Sequence, residues 1–140
     1  RFEGCDLSNT VWGGAKLTSA RFEKCRMTGA SLTQCHGVGL ELEDCALVMA
    51  DLQGLSFRRQ TLNNLDMSEA DLARVNFEDC VFQNCKLRGA RLLETRFQGA
   101  DLRAVDMGVI TLDQATTLKG AIISKDQASS LLAGFGLQVL

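Results

Sequence analysis

Proline and tyrosine are absent from the 140 residues, and histidine and tryptophan occur once each. A single histidine, His36, leaves little for acid–base, triad or zinc chemistry. No apolar run approaches the roughly 18 residues of a membrane-spanning helix, so no membrane association is expected. No basic segment followed by an apolar one reads as a secretory leader. The sequence begins at Arg1 rather than Met. Cationic excess is missing too: 15 Lys and Arg stand against 17 Asp and Glu, for a formal charge of −2. A protein that binds nucleic acid through bulk charge wants the opposite balance, so direct nucleic-acid binding is not expected. No P-loop, GxGxxG, CxxC or nucleophile–base pair occurs, which predicts a non-enzyme with no cofactor and no metal. With 46% apolar and 23% charged residues, the length suits one soluble domain.

What the chain does have is a period of five. Every fifth residue from Phe2 through Leu7, Trp12 and Leu17 to Leu102, Met107 and Leu112 is large and apolar, with Gly37 the one exception. The residue two before each such centre is small or apolar (Cys5, Thr10, Ala15, Ala20, Cys25), with Gln60 the outlier. The other positions hold almost all the charge, and no insertion breaks the register.

Five fits no regular element. On a helix, five residues advance about 140° net, so the centres would spiral and make no stripe. On one long strand, an odd step flips the centre between faces. A short extended piece followed by a turn does fit, because side chains two apart then point the same way. Right-angle turns close a square in 20 residues, and stacking at roughly 4.8 Å pairs the backbones. Stepping by 20 gives vertical columns of like residues, such as Leu7, Met27, Leu47, Met67, Leu87 and Met107. About six coils make a rod on the order of 28 Å long. Burying a large side chain contributes ~1.5–3 kcal/mol. Ordering each backbone residue costs ~1–2 kcal/mol, so one coil is unstable without neighbours. The core ladder includes Cys5, Cys25, Cys45, Leu52, Phe57, Leu72 and Phe77.

The stretches ADLQG (50–54), ADLAR (70–74), CKLRG (85–89), ARLLE (90–94) and ADLRA (100–104) resemble pentapeptide repeats of the form A(D/N)LXX. The resemblance covers residues 1 to about 117. It implies an all-β solenoid, a right-handed quadrilateral parallel β-helix. The six cysteines (Cys5, Cys25, Cys35, Cys45, Cys80, Cys85) all fall in the inward small class. They read as reduced thiols used as small hydrophobes, in keeping with a cytoplasmic protein.

Residues 118–140 form a second unit. Ser124 and Gln127 have capping-box spacing, and Asp126 suits the first turn of a helix. Ala128, Leu131, Leu132 and Phe135 make one apolar face, and Gly134 or Gly136 can end the helix. Leu137-Gln138-Val139-Leu140 reads as a short strand. The helix would cap the open end of the solenoid. Leu131, Leu132, Phe135, Leu137, Val139 and Leu140 together suggest a cap that also joins two copies into a homodimer. The tail is similar to those of the gyrase-interacting pentapeptide proteins, the fluoroquinolone-resistance and Qnr groups, through Phe135-Gly136-Leu137-Gln138-Val139. In that group a dimeric rod resembles duplex DNA and competes for the DNA site of gyrase or topoisomerase IV. The chain has none of the loop insertions of the Qnr type, which places it nearer the loop-free mycobacterial type.

A DNA mimic needs carboxylates at a density near that of phosphates, one charge per ~1.7 Å of duplex. The candidate acidic surface is Glu3, Glu23, Glu41, Glu43 and Asp44, with Asp51 and Asp71 on another face. Asp at the position before each centre also has a structural use, bonding the turn backbone. Arg1, Arg21 and Lys24 can neutralise the Glu ladder, and Lys16, Arg58, Arg59, Arg96 and Lys119 gather on the fourth side. The break His36-Gly37-Val38-Gly39 reads either as a bend or pocket marking a binding surface, or as a drifted repeat filled by Leu40 and Leu55. A scaffold that presents a surface to protein partners is the alternative function.

Overall fold

A computed structural model describes residues 1–140. In each set of five, the centre and the residue three after it turn inward, and the charged positions between them face solvent. The corner follows two residues past the centre, where the backbone crosses into the left-handed region. Met49 (φ 57°), Glu69 (57°) and Arg74 (59°) hold that position without being glycine. An L side chain there is strained by ~1–2 kcal/mol. Many of these turns, though not those after Phe22, Leu42 and Leu62, are closed by a bond from the residue after the corner back to the centre, as from Ala50 N–H to the Leu47 carbonyl at 3.0 Å.

Strands β1 (Phe2–Glu3), β2 (Arg21–Glu23), β3 (Glu41–Glu43), β4 (Thr61–Asn63) and β5 (Val81–Gln83) form one parallel sheet in chain order. Strands β6 (Cys85–Lys86) and β7 (Val105–Asp106) pair alongside it. Partners lie one 20-residue coil apart, as in Phe22↔Leu42 and Glu23↔Glu43. Single bridges continue the offset on the other sides: Asp6↔Arg26, Val11↔Ser31 and Lys16↔His36. The solenoid is therefore four-sided, and its faces are called first to fourth from Glu3, Asp6, Val11 and Lys16.

The interior is one cluster of 33 buried residues. Cys25, Cys45, Leu52, Phe57, Leu72 and Phe77 are all in it, and Cys5, in the outermost coil, is half-buried against it. Phe57, Phe77 and Phe97 stack along one column with ring centroids 5.7 and 5.4 Å apart. The hole at Gly37 is filled: a Cβ added there would meet Leu55 Cδ2 at 3.3 Å and Leu40 Cδ2 at 3.6 Å. The drifted-repeat reading of this segment accounts for the packing.

Two expectations fail at the C-terminal end. Leu112, the last apolar centre of the period, is 67% exposed and opens helix α1 (Leu112–Thr117) instead of filling a column. Thr111 caps that helix in a capping box with Gln114, a local signal that outweighs the five-residue period. Residues 137–140 form no strand, since the Leu137 amide turns back to the Leu132 carbonyl and no neighbouring strand offers a ladder. After α1 the chain rejoins the ladder one residue late, with Asp101 bridging Ile122. Helix α2 (Lys125–Gly134) then crosses the end, with the Ser124–Gln127 capping box formed as expected.

Candidate interaction surface

The middle of the bore is closed, and only Cys5 and Cys35 of its thiols are half-exposed. Its thiols face backbone: Cys25, Cys45 and Cys85 donate to the carbonyls of Phe2, Phe22 and Leu62 at 3.4–3.5 Å, and Cys80 to Phe57 at 2.8 Å. Thr95 does the same with its hydroxyl, to Leu72 at 2.8 Å. Cysteine at these inward positions is thus more than a small hydrophobe, because its thiol donates a further hydrogen bond to a backbone carbonyl. Burial pushes the thiols of Cys45 and Cys85 up, and that of Cys80 up to about 11, which keeps them protonated. All six cysteines are free.

On the first face, Glu3, Glu23 and Glu43 stack in register as expected. Glu23 and Glu43 are met diagonally from the coil before, and Glu3 by Arg1 of its own coil at 3.6 Å. Arg1 reaches Glu23 at 2.9 Å, and Arg21 reaches Glu43 at 2.7 Å and Glu41 at 3.7 Å. The glutamate side chains of Glu3 and Glu41 remain more than half exposed, whereas Glu23 is mostly covered. Asp44 accepts from Asn64 at 2.6 Å, and Asn84 in turn donates to Asn64 at 2.7 Å. The ladder of like charge stands because arginines are interleaved with it.

Asp51 and Asp71 lie on the third face, opposite the glutamates, so the seven acidic candidates do not form one surface. Their first duty is local. Asp51 accepts the Gln53 amide at 3.2 Å and Asp71 the Ala73 amide at 3.1 Å, and Arg91 also holds Asp71 at 2.9 Å. Asp6 does the same for Ser8, whose hydroxyl and amide hold its carboxyl below the usual range. Hydrogen bonds from the Arg103 side chain and amide likewise lower Asp101.

The fourth face is different in sign. Lys16, Arg58, Arg59, Arg96 and Lys119 face out along it. Glu78 takes Arg96 at 3.2 Å and, more distantly, Arg58 at 3.9 Å. His36 sits directly above Lys16, and Val38 between them and Arg58 is 79% exposed. At the next corner the Gln60 side-chain amide donates to the Leu40 carbonyl at 3.0 Å, a bond with no sequence signal beyond the amide's odd position.

At the C-terminal end, Gln114 Nε2 reaches the Ala90 carbonyl at 3.4 Å. Gln127 Nε2 reaches Leu102 at 2.7 Å and Val105 at 3.0 Å. Both cap residues thus cover carbonyls of the last coils. Of the apolar candidates here, Leu131 and Phe135 are half-buried and Leu132, Leu137, Val139 and Leu140 are exposed. An open groove of about 430 Å³ runs between α2 and Val105–Ile110, lined by Met107, Val109, Ile110 and Leu131 with Arg88 and Asp126.

A four-sided parallel solenoid with a five-residue period and outward charge is the architecture of repeat proteins of the pentapeptide class. The chain belongs to the pentapeptide repeat family, whose profile matches residues 1–34, 41–79 and 76–108 in eight copies. No curated protein matches it. Among solved structures, it is similar to a trypsin-treated form of QnrB1, a plasmid-mediated fluoroquinolone resistance protein. That match has 19% identity and a TM-score of 0.56 and covers 99% of this chain and 97% of the other. A pentapeptide repeat protein of the cyanobacterium Cyanothece matches at 17% identity, TM-score 0.57, over 87% and 90% of the two chains. One from the Arabidopsis thaliana thylakoid lumen matches at 22%, TM-score 0.50, over 97% and 90%. These likenesses show a shared fold. No helix is long and apolar enough to cross a membrane.

Proposed function

We propose that the chain is a non-catalytic binding rod, a right-handed stack of about six coils that meets protein partners with its outer faces. One observation carries this: the bore is closed on 33 packed residues, while the charged side chains all face solvent. Six free thiols suit a reducing compartment such as the cytoplasm. The apolar side chains left exposed at the C-terminal end support pairing with a second copy there. Native mass spectrometry tests this: a dimer is expected, and Leu137→Asp with Val139→Asp should return it to a monomer.

The partner to test first is DNA gyrase or topoisomerase IV, on the strength of the repeat together with the tail. On this reading the rod occupies the enzyme's DNA site and protects it from quinolones or a toxin. Supercoiling by purified gyrase should then be inhibited by the chain, or made less sensitive to a quinolone. Neither effect at a large molar excess overturns the gyrase reading.

The charge arrangement favours a second reading, a scaffold for partners of mixed charge. Arg1, Arg21 and Arg91 pair with carboxylates of the acidic candidates, and the fourth face is cationic, so negative charge does not encircle the rod as phosphates encircle a duplex. The supercoiling assay separates the two.

A further inference from the structure

The molecule neutralises its acidic stack from within but leaves one cationic patch with a single, long carboxylate contact. Residues 16–20, 36–40 and 56–60 make up the first three levels of the fourth face. They contain Lys16, His36, Arg58 and Arg59 and not one Asp or Glu. The next level of that face carries Glu78, 3.9 Å from Arg58, and Asp79. Lys16 and Arg59 make no ion pair within the chain. At the centre stands Val38, flanked by Gly37 and Gly39 and 79% exposed. Gly39 beside it adds no side chain to the outer surface.

We propose that this patch is a docking surface for an acidic polypeptide segment carrying an apolar residue. The carboxylates would lie on Lys16, Arg58 and Arg59, and the apolar side chain would lie on Val38. The proposal rests on the reading of the chain as a protein-binding rod and does not require gyrase. A second copy is the poorer occupant, because its Glu23 and Glu43 are already held by Arg1 and Arg21. A nucleic acid fits less well: the phosphate term grows with the number of cations engaged, and the patch has few. Its one outward ring is the small His36 imidazole, since Phe57 packs in the bore.

The test is fluorescence anisotropy with a short labelled peptide alternating Glu and Leu, against a single-stranded oligonucleotide of equal length. Saturable peptide binding to the full chain is expected, weakened about tenfold in Arg58→Glu/Arg59→Glu and severalfold in Lys16→Glu. Lys16→Glu breaks no internal ion pair, so it reports on the patch even if the double variant unfolds. Val38→Asp should weaken binding as well. Absence of saturable binding, equal affinity for the parent and Lys16→Glu, or tighter binding of the oligonucleotide overturns the proposal. Loss of this patch would leave the supercoiling and dimer results untouched, so the two failures can be told apart.

Discussion

The side-chain amide of Gln60 holds the carbonyl oxygen of Leu40, the acceptor that the Thr61 amide would otherwise use. At the matching position on other coils, Glu41, Val81 and Asp101 donate to Ala20, Gln60 and Cys80 at 2.8–3.0 Å. Between β3 and β4 the register is kept only at Glu43↔Asn63, so the ladder is open at Thr61. In Gln60→Ala the smaller side chain matches Ala20 and Ala100 in the same column, and Thr61 can close onto Leu40. Stability should then change by less than ~1 kcal/mol, because one bond replaces another. Hydrogen exchange should show the Thr61 amide fast in the parent and slowed in the variant.

Phe77 sits between Phe57 and Phe97 in the stacked column and is fully buried. Phe77→Ala should cost ~3–5 kcal/mol, from lost transfer energy and the cavity left behind. A large drop in the urea midpoint is expected, and a loss under ~1 kcal/mol would contradict a packed bore.

Gln127 serves three groups at once: its own cap through Ser124 N–H, and the Leu102 and Val105 carbonyls through Nε2. Gln127→Ala should cost ~1–3 kcal/mol and loosen α2 from the end of the solenoid. An uncovered sheet edge promotes association, so concentration-dependent aggregation is expected by light scattering.

Cys80 sets an alkaline limit. Its folded pKa of about 11 lies above the ordinary 9.0, so the folded state disfavours the thiolate. This raised value leaves stability unchanged below pH ~9 and removes it progressively between ~9 and ~11, by on the order of 2 kcal/mol. Denaturant midpoints across that range check the slope. At neutral pH, a thiol reagent should modify the half-exposed Cys5 and Cys35 before Cys45, Cys80 or Cys85.

The Arg21 guanidinium is the hub of the first face, contacting Glu23, Glu41 and Glu43. Removing it as Arg21→Gln should lower stability by under ~1 kcal/mol at low salt, because these are surface pairs. The difference should shrink in ~1 M salt, where the screening length falls to about 3 Å. Thermal melts at the two ionic strengths give the comparison.

The columns were legible in the sequence because burial dominates them. Leu52, Phe57 and Leu72 could only face a shared interior once the period was five, and Gly37 could be read with its fillers, Leu40 and Leu55. The turn role of Asp51 and Asp71 was legible too, because a short carboxylate beside a corner has a backbone amide within reach. Leu112 was misread because an apolar residue at the right period looks the same whether the chain goes on coiling or starts a helix. The Thr111–Gln114 spacing was the signal that separates the two. Residues 137–140 have strand-forming side chains but no open ladder beside them, and pairing depends on a neighbour that the segment itself cannot reveal. The diagonal reach of Arg21 to Glu43 depends on side-chain rotamers, and the period says only which residues share a face.

The ladder shifts by one residue once, across α1, between Asp101 and Ile122. Everywhere else, adding a residue would turn every later centre outward, so the length of this chain is locked along most of its course. The third face near the end is the one place where the polypeptide leaves its pairing, absorbs an extra residue and returns. A graft, tag or loop inserted beside α1 should therefore be tolerated, because the register there already absorbs an extra residue.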